Sequence, residues 1–289
     1  MVPFLHVWRL TIPTFGLMVA SAMIIAYFVL RADLARRGIA AIDSGFAEAL
    51  IAIPSLSGIA GAKLYHVLED PSFLIAHLSE LVSQFGFAWF GGLIAGVVAF
   101  VLVGRRRKVP LLRILDAGSA AAALGYGVGR IGCLLSGDGD YGKPTSLPWG
   151  MSFPHGLVPT TQRVHPTPIY ELIVACLIAW ALWKLGERQI RTRISSKAQR
   201  LHSVQPLSPS GFVFAAYLIL TGIARFLVEF IRINPRSFFG LTNAQAASLV
   251  SIAAGAILWI YLSKSRQRSV VALDQSVQRN RAEREPAKR

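Results

Sequence analysis

Apolar runs long enough to form membrane-crossing helices alternate with short polar connections from residue 11 to residue 263. Seven stretches, approximately 11–31, 49–69, 84–103, 111–136, 168–185, 210–233 and 241–263, approach the ~20 mostly apolar residues that a helix needs to cross a ~30 Å hydrocarbon core. The prolines, glycines and charges typical of loops lie between them. The pattern predicts an all-α, polytopic membrane protein with seven transmembrane helices, whose membrane domain spans residues 1–263. After residue 263 the chain becomes polar, charged and poor in aromatics, so 264–289 is expected to be a basic, disordered cytoplasmic tail that can touch anionic lipid.

Composition agrees with this pattern. Of 289 residues, 53% are hydrophobic and 16% charged, where a soluble domain carries about 25% charged residues. The formal charge of +15 would suggest a nucleic-acid partner in a polar chain. On an apolar chain the position of each cation matters more, because basic residues gather on cytoplasmic loops. One set of connections holds Arg31, Arg36 and Arg37, then Arg105, Arg106, Arg107, Lys108 and Arg113, then Lys184, Arg188, Arg191, Arg193, Lys197 and Arg200. The tail adds Lys264, Arg266, Arg268, Arg279, Arg281, Arg284, Lys288 and Arg289. The opposite side has only Arg9, Lys143, Arg163 and Arg236. The asymmetry predicts an N-terminus outside and a C-terminus in the cytoplasm, as an odd number of spans requires. No nucleic acid is needed to explain the charge. No basic segment precedes the first span, whose apolar stretch is too long for a cleavable signal peptide. Cys133 and Cys176 both fall within spans, so no structural disulfide is expected. Walker, Rossmann, zinc-ligand and nucleophile-elbow motifs are absent, and neither a metal nor a cofactor is expected.

Four cations remain inside the spans: Lys63, Arg130, Arg225 and Arg232. A charge at helix-centre depth costs about 2.5–3.5 kcal/mol on insertion scales, so such a residue is paired, faces a polar cavity or is functional. At ~1.5 Å per residue, Arg225 lies about 20 Å and Arg130 about 28 Å from the cytoplasmic ends of their helices, both in the outer half of the bilayer. Two planar guanidinium forks at that depth suit an anionic headgroup or phosphate. A second reading is purely structural. Arg225, Glu229 and Arg232 share a helical spacing and can form an Arg–Glu–Arg ladder that braces the bundle.

Arg130 opens the segment Gly129-Arg130-Ile131-Gly132-Cys133, which runs on to Gly137-Asp138-Gly139-Asp140-Tyr141-Gly142. Gly125 and Gly129 offer a small-residue face for close helix approach, and the glycines at 137, 139 and 142 suit a chain that folds back through positive φ. Other groups recur along the chain: Phe15-Gly16-Leu17-Met18, Gly61-Ala62-Lys63, Phe90-Gly91-Gly92-Leu93, His165-Pro166-Thr167-Pro168-Ile169-Tyr170-Glu171, Gly222 to Arg232, and Gly240-Leu241-Thr242 with Gln245. In this order they resemble the boxes of the prolipoprotein diacylglyceryl transferase family, over all seven spans. The resemblance implies an enzyme of lipoprotein biosynthesis in the bacterial plasma (inner) membrane. It would transfer a diacylglyceryl group from phosphatidylglycerol to the lipobox cysteine thiol of preprolipoproteins, recognised with their signal peptides, and form a thioether.

The same resemblance implies roles residue by residue. The family's two essential arginines correspond to Arg130 and Arg225, which would bind and neutralise the phosphate. Asp138 stands at the signature glutamate, with a first-contact role. Glu229 and Arg232 would position the network, Lys63 matches a family arginine, and Gly91, Gly92, Gly129 and Gly132 would permit close helix approach. The loop 137–167 would be an arm that meets the protein substrate. The chain departs from the family pattern at Phe90, where the family has a histidine, and at Phe15, Cys133 and Thr221, where it has hydrogen-bonding side chains. His165 is then a possible base, with His66 at the outer end of the second span and the carboxylates Asp138, Asp140 and Glu171 at similar height. A relative using another acceptor, or a silent lipid-binding membrane protein, are the alternative readings. A channel or transporter lacks the paired discontinuous helices it would need.

Overall fold

The computed structural model describes residues 1–39, 45–69, 89–199, 210–236 and 239–284. Among them are seven helices: α1 (Thr14–Arg36), α2 (Phe46–Glu69), α3 (Trp89–Arg106), α4 (Leu111–Ser136), α5 (Thr167–Gln199), α6 (Phe212–Val228) and α7 (Asn243–Arg284). Five of these, α1, α2, α4, α5 and α7, contain a segment long and apolar enough to cross a membrane, and α6 is shorter. The protein is thus a mainly helical, multi-pass membrane protein. The expected all-α class needs one amendment, because two antiparallel hairpins lie outside the helices. The first pairs β1 (Phe4–Val7) with β2 (Leu10–Pro13) and leads into α1; the second pairs β3 (Met151–Phe153) with β4 (Thr160–Val164) and leads into α5. The start of the third predicted span, 84–88, lies outside the described residues.

Two boundaries differ from the sequence expectation for physical reasons. The sixth span was expected to reach residue 233, but α6 stops at Val228. There the backbone tightens into i→i−3 bonds, Phe230 N to Leu227 O at 3.2 Å and Ile231 N to Val228 O at 3.1 Å. The chain then pairs with another segment, Gly142 bridging Arg232, and Pro235 disfavours helix at the residue before it. At the other extreme, α7 continues to Arg284 where a disordered tail from 264 was expected. No glycine or proline intervenes between Gly255 and Pro286, and Ala, Leu, Gln, Arg and Glu are all good helix formers, so nothing in the sequence ends the helix at Lys264.

The chain forms two compact units, Met1–Val29 with Leu115–Arg289, and Leu30–Ile114. In the second unit α2 and α3 meet at their backbones. A Cβ on Gly91 would lie 2.3 Å from Gly61 O, and one on Gly61 would lie 2.6 Å from Gly91 O and 2.3 Å from Ala95 Cβ. Without water to drive helices together, such small-residue contact is how helices associate in lipid. Buried Asp33 pairs with Arg36 and Arg37 beside a core of Leu30, Leu34, Phe46, Leu50 and Ile114.

In the first unit, Ala120, Ala123, Ile178, Leu182, Val213 and Ala216 pack α4, α5 and α6 together. Their register is fixed by Asp116 of α4, whose fully buried carboxylate accepts bonds from Gly211 N at 2.8 Å, Phe214 N at 2.9 Å and Gln189 Nε2 at 3.1 Å. The acid thus caps the N-terminus of α6 from another helix, satisfying donors that no intrahelical carbonyl can reach. Gly129 behaves differently from the expected close-approach role: a Cβ there would meet nothing within 4 Å.

Replacing Gly91 with valine should therefore lower the thermal stability of detergent-solubilised protein by about 1–3 kcal/mol, as overpacking does. Gly129→Ala should leave the melting temperature unchanged or slightly raised, and circular dichroism melts of both variants test the contrast.

Candidate active site

Arg130 sits one and a half turns before the end of α4, and the chain beyond it reverses through Gly137 (φ 58°) and Gly139 (φ 92°). This fold-back carries Asp140 towards Arg130, and the two form an ion pair. Gly142 needs its missing side chain for a different reason from the positive φ expected of it. A Cβ there would stand 2.6 Å from Ile231 O and 2.9 Å from His165 Cβ. With that space free, Gly142 N bonds His165 O at 2.8 Å and Lys143 N bonds Ile231 O at 2.8 Å. Three segments that are distant in sequence, around 140, 165 and 231, are thereby stitched into one floor.

On this floor three guanidiniums and three carboxylates alternate. Glu171, in the first turns of α5, is shared most widely: Arg225 Nη1 lies 2.6 Å from Oε1, Arg130 Nε 3.2 Å from Oε2 and Arg232 Nη1 3.5 Å from Oε2. Tyr126, one helical turn before Arg130, donates its hydroxyl to Glu171 Oε1 at 2.9 Å, and its ring lies under the Arg130 guanidinium at 4.6 Å. Asp140 is held by Arg130 on one oxygen and by Arg232 on the other, and its carbonyl accepts from Thr167 Oγ1. Glu229 lies 3.0 Å from Arg225 and 3.8 Å from Arg232, and its other oxygen accepts from Asn234. The Arg–Glu–Arg ladder read from the sequence is therefore present, although Arg232 reaches it from a turn beyond the helix.

The six charges cancel. Burying them costs free energy that only this mutual pairing offsets, and removing one partner of such a set typically costs about 3–5 kcal/mol. Exposure separates the members into two groups. The side chains of Glu229, Glu171 and Arg232 are 0%, 4% and 5% exposed, whereas those of Arg130, Arg225 and Asp140 are 17%, 26% and 29% exposed. Arg130 and Arg225 are thus the accessible guanidiniums of the network, and Arg232 is buried behind them.

The remaining sequence candidates fall elsewhere. Asp138, given a first-contact role at the signature position, makes no ion pair with Arg130 among the described residues; Asp140, two residues on, does, because the glycine-rich turn brings the later carboxylate round. Asp138 instead accepts from Asp140 N at 3.2 Å. Gly132 packs tightly on α1, with Met18 Cβ 3.1 Å from where its Cβ would be. His165 points its Nδ1 at the Tyr170 hydroxyl, 3.3 Å away, and that hydroxyl also accepts from Trp149 Nε1 at 2.7 Å. Gly91, Gly92 and half-buried Lys63 belong to the unit Leu30–Ile114, where the two glycines pack α3 against α2. Among the network's members Tyr126 was not singled out in the sequence, and Asp140 and Glu171 were weighed there only as carboxylates that could stand in for the missing base. Tyr126 carried a signal, since it precedes Arg130 by one helical turn.

Cys133 Sγ and the carboxylates of Asp138 and Asp140 lie within 4.8 Å of one another. Both Asp140 oxygens already face guanidiniums, so the trio's charge is largely compensated without a cation. The two aspartates titrate in opposite directions. Burial and the neighbouring charge of Asp140 push the Asp138 carboxyl above its ordinary value. For Asp140 burial works the same way, but Arg232 and Arg130 outweigh it and hold the carboxyl below its ordinary value.

A family model described as prolipoprotein diacylglyceryl transferase matches residues 3–261. The chain is 32% identical to a phosphatidylglycerol–prolipoprotein diacylglyceryl transferase of Clostridium tetani, over 86% of this chain and 93% of that protein. It is 30% identical to a protein of the same name from Geobacter sulfurreducens, over 82% and 84% of the two chains, and 30% identical to one from Bordetella avium, over 91% and 95%.

The opposed shifts of the two aspartates fix the sign of two substitutions. A depressed folded value means that Asp140 stabilises the fold above the unfolded carboxylate value near ~3.9, and that this stability is lost as pH falls through the folded value. A raised folded value means that Asp138 destabilises at neutral pH and is relieved as pH falls through its own folded value. Asp140→Asn should thus lower, and Asp138→Asn raise, the melting temperature at pH 7, with both differences shrinking in melts repeated towards about pH 3.

Proposed function

The chain belongs to the prolipoprotein diacylglyceryl transferase family, and from that premise we propose how its arginine network serves the reaction. The enzyme moves a diacylglyceryl group from phosphatidylglycerol to the cysteine thiol of prolipoproteins, forming a thioether. In our reading the acceptor is the lipobox cysteine of a preprolipoprotein, delivered with its signal peptide to the outer face of the bacterial plasma (inner) membrane. The chain crosses that membrane seven times, with its N-terminus outside and its C-terminus in the cytoplasm. The distribution of cations between its connections supports this orientation. The hairpin-bearing segment 137–167 forms the arm that meets the protein substrate.

In the chemical step the acceptor thiolate attacks the glyceryl carbon bonded to the phosphate oxygen. A carbon–sulfur bond forms, the carbon–oxygen bond breaks, and glycerol phosphate leaves with the bonding electrons. Negative charge grows on the departing phosphate, and preorganised donors aimed at such charge supply large catalytic terms. Arg130 and Arg225 are those donors. Each gives up part of its carboxylate pairing to the phosphate, and Arg232 and Glu229 keep the frame in place. Asp138, beside the network but without an ion pair among the described residues, orients the glycerol headgroup. His165, tied to Tyr170 at the entrance of α5, is the candidate that receives the thiol proton.

The observation that carries this reading is the exposure gradient across the network, because it leaves two guanidiniums open to an anion and keeps the third buried. The test is transfer of labelled diacylglyceryl from phosphatidylglycerol to a lipobox peptide by purified protein. Arg130→Ala and Arg225→Ala should each lower the rate by about 100-fold or more, as loss of an oxyanion-stabilising donor does. Activity indifferent to both changes would overturn the assignment. No thioether from the wild type, with Arg130-dependent lipid binding retained, would identify a silent lipid-binding relative.

A further inference from the structure

Tyr126 enters the arginine network through both ends of its side chain. Its ring stacks under Arg130 at 4.6 Å, where the negative face of an aromatic attracts and flattens a guanidinium. Its hydroxyl bonds Glu171 Oε1 at 2.9 Å, the same oxygen that Arg225 approaches to 2.6 Å. At 43% exposure Tyr126 is more open than any charged member of the network, while Glu171 behind it is buried. The phenol is a neutral donor on Glu171 beside three guanidiniums, so an anion drawn by the charge of the arginines has less hold on it.

When an anion takes donors from Arg130 and Arg225, Glu171 loses the contacts that compensate its burial. A buried carboxylate left without donors carries a large penalty. Arg232, at 3.5 Å, is a weak substitute. The Tyr126 hydroxyl is the donor that stays. Building on the function proposed above, we propose that Tyr126 is a positioning residue for phosphatidylglycerol: its hydroxyl holds Glu171 while the arginines turn to the phosphate, and its ring holds Arg130 flat towards the headgroup.

The two halves are separable. Tyr126→Phe keeps the ring and deletes the hydroxyl, and Tyr126→Leu deletes both. Tyr126→Phe should weaken binding of phosphatidylglycerol by about tenfold, the scale of one hydrogen bond to a charged group, with kcat within about twofold of wild type. Tyr126→Leu should weaken binding similarly and also lower kcat by about tenfold or more, because Arg130 loses its support. A purely structural role would lower thermal stability and both kinetic parameters together. The design measures binding of phosphatidylglycerol against phosphatidylcholine in mixed micelles by native mass spectrometry, and separately thioether formation on a lipobox peptide. Wild-type-like phosphatidylglycerol binding by Tyr126→Phe overturns the role of Tyr126 whether or not turnover is seen. Absence of thioether from the wild type counts against the function alone. In a Glu171→Gln background the further change Tyr126→Phe should cost less than twofold in binding, since the bond that it removes is already weakened; an undiminished tenfold loss would place the effect elsewhere and overturn the proposal.

Discussion

The Glu171 carboxylate is buried at the start of α5 and shared by Arg130, Arg225 and Arg232, which arrive from α4, α6 and the turn after α6. No single one of these ions is stable in apolar surroundings, and only the set closes the charge. The rest of the first unit can be understood as what brings its parts together. The glycine turn at 137 and 139 returns Asp140 to Arg130, the absent side chain of Gly142 lets three segments share backbone bonds, and the early end of α6 frees Arg232 to come round behind the network. Asp116, far along α4, fixes the N-terminus of α6 and so sets where Arg225 stands along the helix axis.

A balanced network is also what a phosphate-handling site needs before its substrate arrives. Unpaired arginines at this depth would be costly, and arginines locked in a fully buried lattice could not turn to a ligand. The structure meets both demands by grading exposure. In the proposed reaction Arg130 and Arg225 would exchange one anionic partner for another, and the more deeply buried Arg232 and Glu229 would stay in place. On that proposal carboxylate is traded for phosphate at nearly constant charge pairing, which would keep the cost of binding a charged headgroup small.

Much of this was legible in the sequence. Hydropathy located the seven helices of the described residues, five of them long and apolar enough to cross a membrane, because the period of burial in lipid is coarse and insensitive to tertiary detail. Arg130, Arg225, Glu229 and Arg232 could be singled out because a charge inside an apolar run is improbable without a reason. The partners were harder. Choosing Asp140 over Asp138 depends on how a three-glycine turn closes, and no local rule gives that path. Glu171 sits at a helix entrance, where a carboxylate is commonplace, and its importance arises only from the convergence of three helices. Tyr126 looked like one more aromatic in a span. Both hairpins were missed because each strand is at most five residues long and lies between stronger helical signals. The expected end of α7 failed for the opposite reason, since polarity predicts departure from the membrane and not departure from helix.

In the proposed mechanism Arg130 and Arg225 exchange carboxylate for phosphate while Glu171 keeps its remaining donors. A high-resolution structure of the protein with phosphatidylglycerol bound in a lipid nanodisc measures this directly. It should show the phosphate oxygens within hydrogen-bond distance of both guanidiniums, with Tyr126 and Arg232 still on Glu171. A phosphate held elsewhere, with the six-charge network unchanged from the unliganded arrangement, would contradict it.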